Sequence, residues 1–200
     1  MCIRDRLSGQ NCNVWWIVSY IGKIFYNVKY AGLGLLKSVG LTTQLVRLSI
    51  LTEKGIPNPQ YFATVLFLIF VFYLFYKFYK SKNRVFIFIT AGLLIYGYTI
   101  ISLRVHENHL FPFISIFSLV FFLHPILKRM FIVLSGVYFF NVFLFYGLGE
   151  KSGVFFPRHL FYIDSTVILA VINVLFFVYV CYYFIKHWND LELISYKKEF

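Results

Sequence analysis

Tyr61-Phe-Ala-Thr-Val-Leu-Phe-Leu-Ile-Phe-Val-Phe-Tyr-Leu-Phe-Tyr76 carries no charge from end to end and is closed by the basic cluster Lys77, Lys80, Lys82 and Arg84. Its apolar residues come as a block, neither alternating nor recurring at helical intervals, so no wet face can be drawn on it. About 20 apolar residues rising 1.5 Å each cross a hydrocarbon layer about 30 Å thick. Lipid offers the backbone no hydrogen-bond partners, so such a segment must satisfy its own N–H and C=O groups and is expected to be helical. The ten-residue alternation of a membrane β-barrel is absent.

Four further blocks of this kind follow, at about 85–103, 110–127, 130–147 and 165–184. The composition agrees: 60% of the residues are hydrophobic and 14% charged, with 26 phenylalanines and 16 tyrosines. A soluble domain keeps roughly a quarter of its residues charged. The expected fold is an all-α integral membrane protein of about five transmembrane helices. The third and fourth spans, separated only by Lys128 and Arg129, are expected to form a tight hairpin. Residues 61–185 make up this transmembrane region, and 186–200 a polar tail.

Upstream, 7–60 reads differently. It is apolar but interrupted by Lys23, Lys29, Lys37 and Arg47, and Trp15, Trp16, Tyr20, Tyr26 and Tyr30 are side chains that settle at headgroup level. One or two interfacial or re-entrant helices are expected here, ended by Gly55-Ile-Pro-Asn-Pro59. Met1-Cys-Ile-Arg-Asp-Arg6 lacks the apolar core of a signal peptide. It reads as a translated adapter joined to an interrupted frame, on which view further helices of a longer protein lie upstream.

The net charge of +11 sits between the apolar blocks rather than on one soluble face, which disfavours nucleic acid as a partner and points to membrane lipid. The exits of spans one, three and five carry nine basic residues: Lys77, Lys80, Lys82, Arg84, Lys128, Arg129, Lys186, Lys197 and Lys198. The exits of spans two and four carry three, Arg104, Lys151 and Arg158. Cytoplasmic loops are the basic ones. Residues 104–109, 150–164 and the N-terminal aromatic region are therefore expected on the opposite, exoplasmic side. Cys2, Cys12 and Cys181 are too few and too scattered for a disulfide framework or a metal site.

Arg104-Val-His-Glu-Asn-His-Leu-Phe-Pro-Phe113 concentrates ionisable groups between two spans, where such groups are costly and usually functional. If the helix continues through it, His106 and His109 share a face with Arg104 about a turn away. That face suits a phosphate, for which Arg supplies a planar fork of donors. A wet helix end decorated with polar groups is the plainer reading. The spacing is not that of a zinc-protease helix. Asn13 before Trp15 and Trp16 suits a helix start at the interface, Asp164 suits the N-cap of the fifth span, and Asn141 and Asn173 suit hydrogen bonds between helices. His124-Pro125 suits a kink.

Two of these segments together resemble a known group. Asn13-Val-Trp-Trp16 is similar to the Asn-Leu-Trp-Trp motif of multi-spanning glycosyltransferases of the GT-C class. Val105-His-Glu-Asn-His-Leu-Phe-Pro112 resembles the His-Glu-Arg-Tyr or Val-His-Glu-Lys element that follows a transmembrane helix in the same class. The similarity covers about 7–122, with the later helices alike only in kind. It implies a mannosyltransferase-like, inverting transfer of a hexose from a polyprenyl- or dolichyl-phosphate sugar to an exoplasmic lipid-linked or protein acceptor. By the same resemblance Arg104, His106 and His109 contact the donor phosphate, and Glu107 orients them. The resemblance allows a divalent cation in the complete enzyme, and places the protein in the plasma membrane of a prokaryote or the endoplasmic reticulum of a eukaryote. The family's base, a carboxylate in the first exoplasmic loop, matches no position here. It is expected upstream, so this chain alone is expected to be inactive. Asn108 departs from the basic residue common there. The alternative is a transporter or flippase segment, which should show repeated halves and spans broken at mid-depth. No repeat is present, and the charges lie at span ends.

Overall fold

A computed structural model of the chain describes residues 12–40, 59–81, 86–103, 105, 107–123, 125–144 and 159–196, with the backbone alone at 40, 107–108, 123, 159 and 188–196. The adapter-like leader, Arg47, the 55–58 break, Lys82, Arg84 and the 150–158 loop lie outside these residues. The fold is all-α, as expected. Helix α1 spans Val14–Tyr30 and α2 Leu35–Gly40, followed by α3 (Pro59–Lys80), α4 (Phe86–Ile101), α5 (Phe111–Phe117), α6 (Pro125–Val142) and α7 (Ser165–Tyr196). Among the described residues the one departure is a hairpin of two short strands, β1 (His159–Leu160) and β2 (Ile163–Asp164). The described part of the N-terminal region, 12–40, forms two helices. Gly32, at φ 64°, turns the chain between them, and the Leu33 N–H returns to the Asn27 carbonyl at 3.2 Å.

Among the described residues, three helices are long and apolar enough to cross a membrane: α3, α6 and the Ser165–His187 part of α7. Beyond that part α7 bends, since His187 leaves helical geometry (φ −108°, ψ 16°) and stacks on Tyr183 at 4.7 Å. Helix α4 is shorter, at 16 residues. The third apolar block is not one helix but two pieces. A 3-10 turn at Glu107–Leu110 leads into α5, and a turn with a second 3-10 piece, Phe121–Leu123, leads out. Proline explains both breaks. Pro112 lies in the first turn of α5; it has no N–H to give to the Asn108 carbonyl and its ring crowds that group, so a helix can begin here but not pass through. Pro125 opens α6 for the same reason, and the residue before a proline avoids helical geometry. Lys128 and Arg129 consequently lie in the opening turns of α6 rather than in a loop.

The core is aromatic. Tyr96 of α4 is wholly buried, with Phe113 of α5 and Phe177 of α7 each 5.1 Å from its ring. Around it pack Leu93, Phe117, Leu134 and Phe184. Two glycines let neighbours approach α4. A side chain at Gly92 would meet the Phe117 ring at 2.6 Å, and one at Gly97 would collide with the Phe70 ring of α3. Outside this core the long helices keep apolar side chains on their surface, among them Phe62, Ile69 and Phe72 of α3 and Leu175 and Val178 of α7. Such a surface is of the kind that marks a protein interface or a membrane-facing region.

The helices give the bundle two unlike ends. Helices α3 and α7 run parallel: Phe70 meets Phe177 at 5.6 Å, and farther on Lys77 and Ile185 line a common groove. Helix α4 runs against α3, with Phe67 facing Tyr98 at 5.7 Å, and α6 runs against α5, with Phe111 facing Tyr138 at 6.1 Å. Lys77, Lys80, Lys128, Arg129 and Lys186 therefore share one end. Asn13, His109, Asn141 and Asp164 share the other.

Candidate functional site: a polar junction at the asparagine end

Cys12 to Trp16 form a strap that seats on three other helices through hydrogen bonds. Asn13 opens α1 in extended geometry, and its Oδ1 accepts from the N–H groups of Trp15 and Trp16, both at 3.1 Å. This satisfies two of the donors that every helix start leaves without an internal partner. The other half of the same carboxamide faces α4. Asn13 Nδ2 donates to the Thr99 carbonyl at 3.3 Å and the Ser102 carbonyl at 3.5 Å. Trp15 Nε1 donates to the Ile101 carbonyl at 2.6 Å. The two side chains thus cap the carbonyl end of α4, giving a physical reason for an Asn and a Trp two residues apart.

The rest of the strap is held as fully. The Cys12 N–H donates to Asn141 Oδ1 at 3.1 Å, and Asn173 Nδ2 donates to the Cys12 carbonyl at 2.8 Å. Asn173 Oδ1 accepts in turn from the Tyr96 hydroxyl at 2.8 Å. Asn173 thus links α7 to α4, the helix-to-helix bond the sequence led us to expect, while Asn141 holds the non-helical Cys12 peptide instead. Trp16 Nε1 donates to Thr166 Oγ1 at 2.9 Å. Asp164 is the N-cap of α7: its Oδ1 accepts from the Thr166 N–H at 2.9 Å and from the Thr166 hydroxyl. Cys12 Sγ donates to the Thr166 carbonyl at 3.3 Å. Burial pushes the Cys12 thiol well above its ordinary value, and the Asp164 carboxylate pushes it the same way. The same two causes raise the Tyr20 phenol, whose hydroxyl donates to the Val39 carbonyl at 3.3 Å. A thiol so placed is inert.

The second motif adjoins this junction. Trp15 packs with Val14, Ala63 and Leu103, the residue directly before Arg104. Val105 is fully buried, and His109 is half-buried with its ring 5.9 Å from that of Tyr98. The helix does not continue through this segment: α4 stops at Ile101, and Glu107–Leu110 is a separate 3-10 turn. Arg104, His106 and His124 lie outside the described residues, as do the side chains of Glu107 and Asn108. Among the described residues no three His, Cys, Asp or Glu side chains gather, so these residues offer no donor set for a divalent cation. Sequence reasoning missed Cys12, Tyr96, Thr99, Ser102 and Thr166 as members of the junction. Several contribute backbone carbonyls, which carry no side-chain signature.

No family model, no curated protein and no solved structure matches the chain.

Proposed function

We propose that this chain is part of a membrane glycosyltransferase of the GT-C class, taking a hexose from a polyprenyl-phosphate sugar and passing it to an exoplasmic lipid-linked or protein acceptor. In this reading the chain crosses the membrane five times, through α3, α4, the two-piece α5 region, α6 and α7. The lysine end is cytoplasmic and the asparagine end exoplasmic. Supporting the crossing are the length and apolar surface of α3, α6 and α7. Supporting the orientation is the gathering of Lys77, Lys80, Lys128, Arg129 and Lys186 at one end.

One observation carries the enzymatic part. The two motif segments that resemble the class are remote in sequence, yet Asn13 and Trp15 bond carbonyls 86 residues away, on the turn that leads into Arg104. A phosphate gripped by Arg104, His106 and His109, with Glu107 orienting them, would lie beside this junction. Asp164 serves through Oδ1 as the helix cap of α7. No position here matches the loop carboxylate that serves as base in that class.

The test is donor binding to the 200-residue chain in lipid nanodiscs, using polyprenyl-phosphate hexose with unphosphorylated polyprenol as control. A charge-assisted bond is worth about 1.5–3 kcal/mol, so Arg104→Ala should weaken binding roughly ten- to a hundredfold. Arg104→Lys should recover part of the loss, because an ammonium lacks the fork. His106→Ala and His109→Ala should each cost less. Incubation with donor and acceptor should give no product. Unchanged binding by Arg104→Ala would remove the phosphate site, and turnover by this chain would show that its base is Asp164, Glu150 or Glu107 after all.

A further inference from the structure

At the lysine end, α3 and α7, with Leu93 of α4, line an apolar groove of about 360 Å³. Phe70 and Phe177 form its inner limit, Tyr73, Cys181 and Tyr182 line its walls, and Lys77 stands at its mouth. From Phe70 to Lys77 is seven residues, or about 10 Å along the helix. Of the residues lining the groove Lys77 alone is charged. Two further ammonium groups at this end lie on tyrosine rings of the same two helices: Lys80 is 4.6 Å from the Tyr76 ring, and Lys186 is 5.7 Å from the ring of Tyr182, which lines the groove. Lys77 itself is 6.0 Å from the Tyr73 ring.

We propose that this groove binds one acyl chain of an anionic glycerophospholipid of the cytoplasmic leaflet, with the lipid phosphate held at Lys77 between Lys80 and Lys186. This rests on the membrane-spanning part of the proposed function and not on its enzymatic part. Two arguments select the occupant. Water is a poor one, because a held water needs two to four polar partners and these walls provide almost none. An acyl chain is thin enough, and the headgroup it brings to the mouth meets three positive charges. Charge complementarity therefore favours an anionic headgroup over a zwitterionic one, whose own cation would be repelled. Tyrosine and lysine at this depth are the side chains that settle at the headgroup boundary.

The test uses phosphatidylglycerol and phosphatidylcholine probes, each with a diazirine on one acyl chain, as trace components of phosphatidylcholine vesicles holding the full chain. After irradiation, cross-linked peptides are mapped by mass spectrometry. The phosphatidylglycerol probe should label 70–77 and 177–185 in preference to the phosphatidylcholine probe. One juxtamembrane lysine contributes about fivefold to anionic-lipid affinity, so Lys77→Gln should cut the preferential labelling by about that factor while Lys77→Arg keeps it. Cys181→Trp, which fills the groove, should abolish groove labelling while circular dichroism reports an unchanged fold. Equal labelling by the two probes, or a preference untouched by Lys77→Gln, would overturn the lipid site and leave the membrane reading standing. Absence of labelling on α3 and α7 by either probe would overturn both.

Discussion

Asn13→Asp is the substitution that separates a simple helix cap from the two-sided role the carboxamide plays here. At an exposed N-cap, Asp and Asn are near equals. In this junction only the acceptor half of Asn13 faces α1, while Nδ2 serves the Thr99 and Ser102 carbonyls of α4 at 3.3 and 3.5 Å. Aspartate keeps the cap but has no donor, and it brings a charge to a fully buried position facing two carbonyls. Losing the cap costs about 1 kcal/mol, and leaving a buried carbonyl without its partner about 1–3 kcal/mol. Asn13→Ala, which loses both, should therefore destabilise by roughly 2–4 kcal/mol, and Asn13→Asp by at least as much. Asn13→Ser, which keeps a short cap and loses the reach to α4, should fall between wild type and alanine. Unfolding by dodecyl sulfate in mixed micelles, followed by tryptophan fluorescence and far-UV circular dichroism, reads the series. If Asn13→Asp lies within about 0.5 kcal/mol of wild type, the range of an ordinary surface change, the bridge to α4 contributes nothing and the junction has been misread.

Gly92→Ala should cost about 1–3 kcal/mol in the same assay, since it drives a methyl into the buried Phe117 ring, whereas Gly97→Ala should cost less because the half-buried Phe70 ring can swing toward the groove. Topology can be read from impermeant thiol labelling: a cysteine at Asn108 should react from the exoplasmic side and one at Asn83 should not, and the reverse pattern would invert the orientation. Cys12 should resist maleimide in the folded chain and react once the chain is unfolded. Because folding raises both the Cys12 thiol and the Tyr20 phenol, their contribution to stability is complete below the unfolded values and is lost as pH climbs past them, so alkaline unfolding should set in earlier in wild type than in Tyr20→Phe.

Helix content was legible because apolar blocks leave a backbone no alternative in lipid, and Asn141, Asn173 and Asp164 were legible as polar groups with no other purpose in apolar runs. Their partners were not. Asn141 and Asn173 both bond the backbone of Cys12, 129 and 161 residues distant, and a peptide group looks the same at every position. The third block misled in an instructive way. Its apolar length suits one span, while Pro112 and Pro125 decide where helix can start and divide it. The same proline rule could have warned against extending α4 through His106 and His109. The proposed phosphate grip is the least legible element, because it would depend on how Arg104 and His106 are aimed.

The strap also has a consequence for the timing of biosynthesis. Cys12 is made early, but the asparagine that receives its carbonyl comes 161 residues later. At about 5–20 residues per second that interval is roughly 8–32 s. Throughout it, the peptide groups of the strap need water or a helper protein, since the helices that will satisfy them do not yet exist. The strap thus reaches its place only after α7 has been made, and conditions that slow translation lengthen the window in which this apolar, tryptophan-bearing segment stands uncovered.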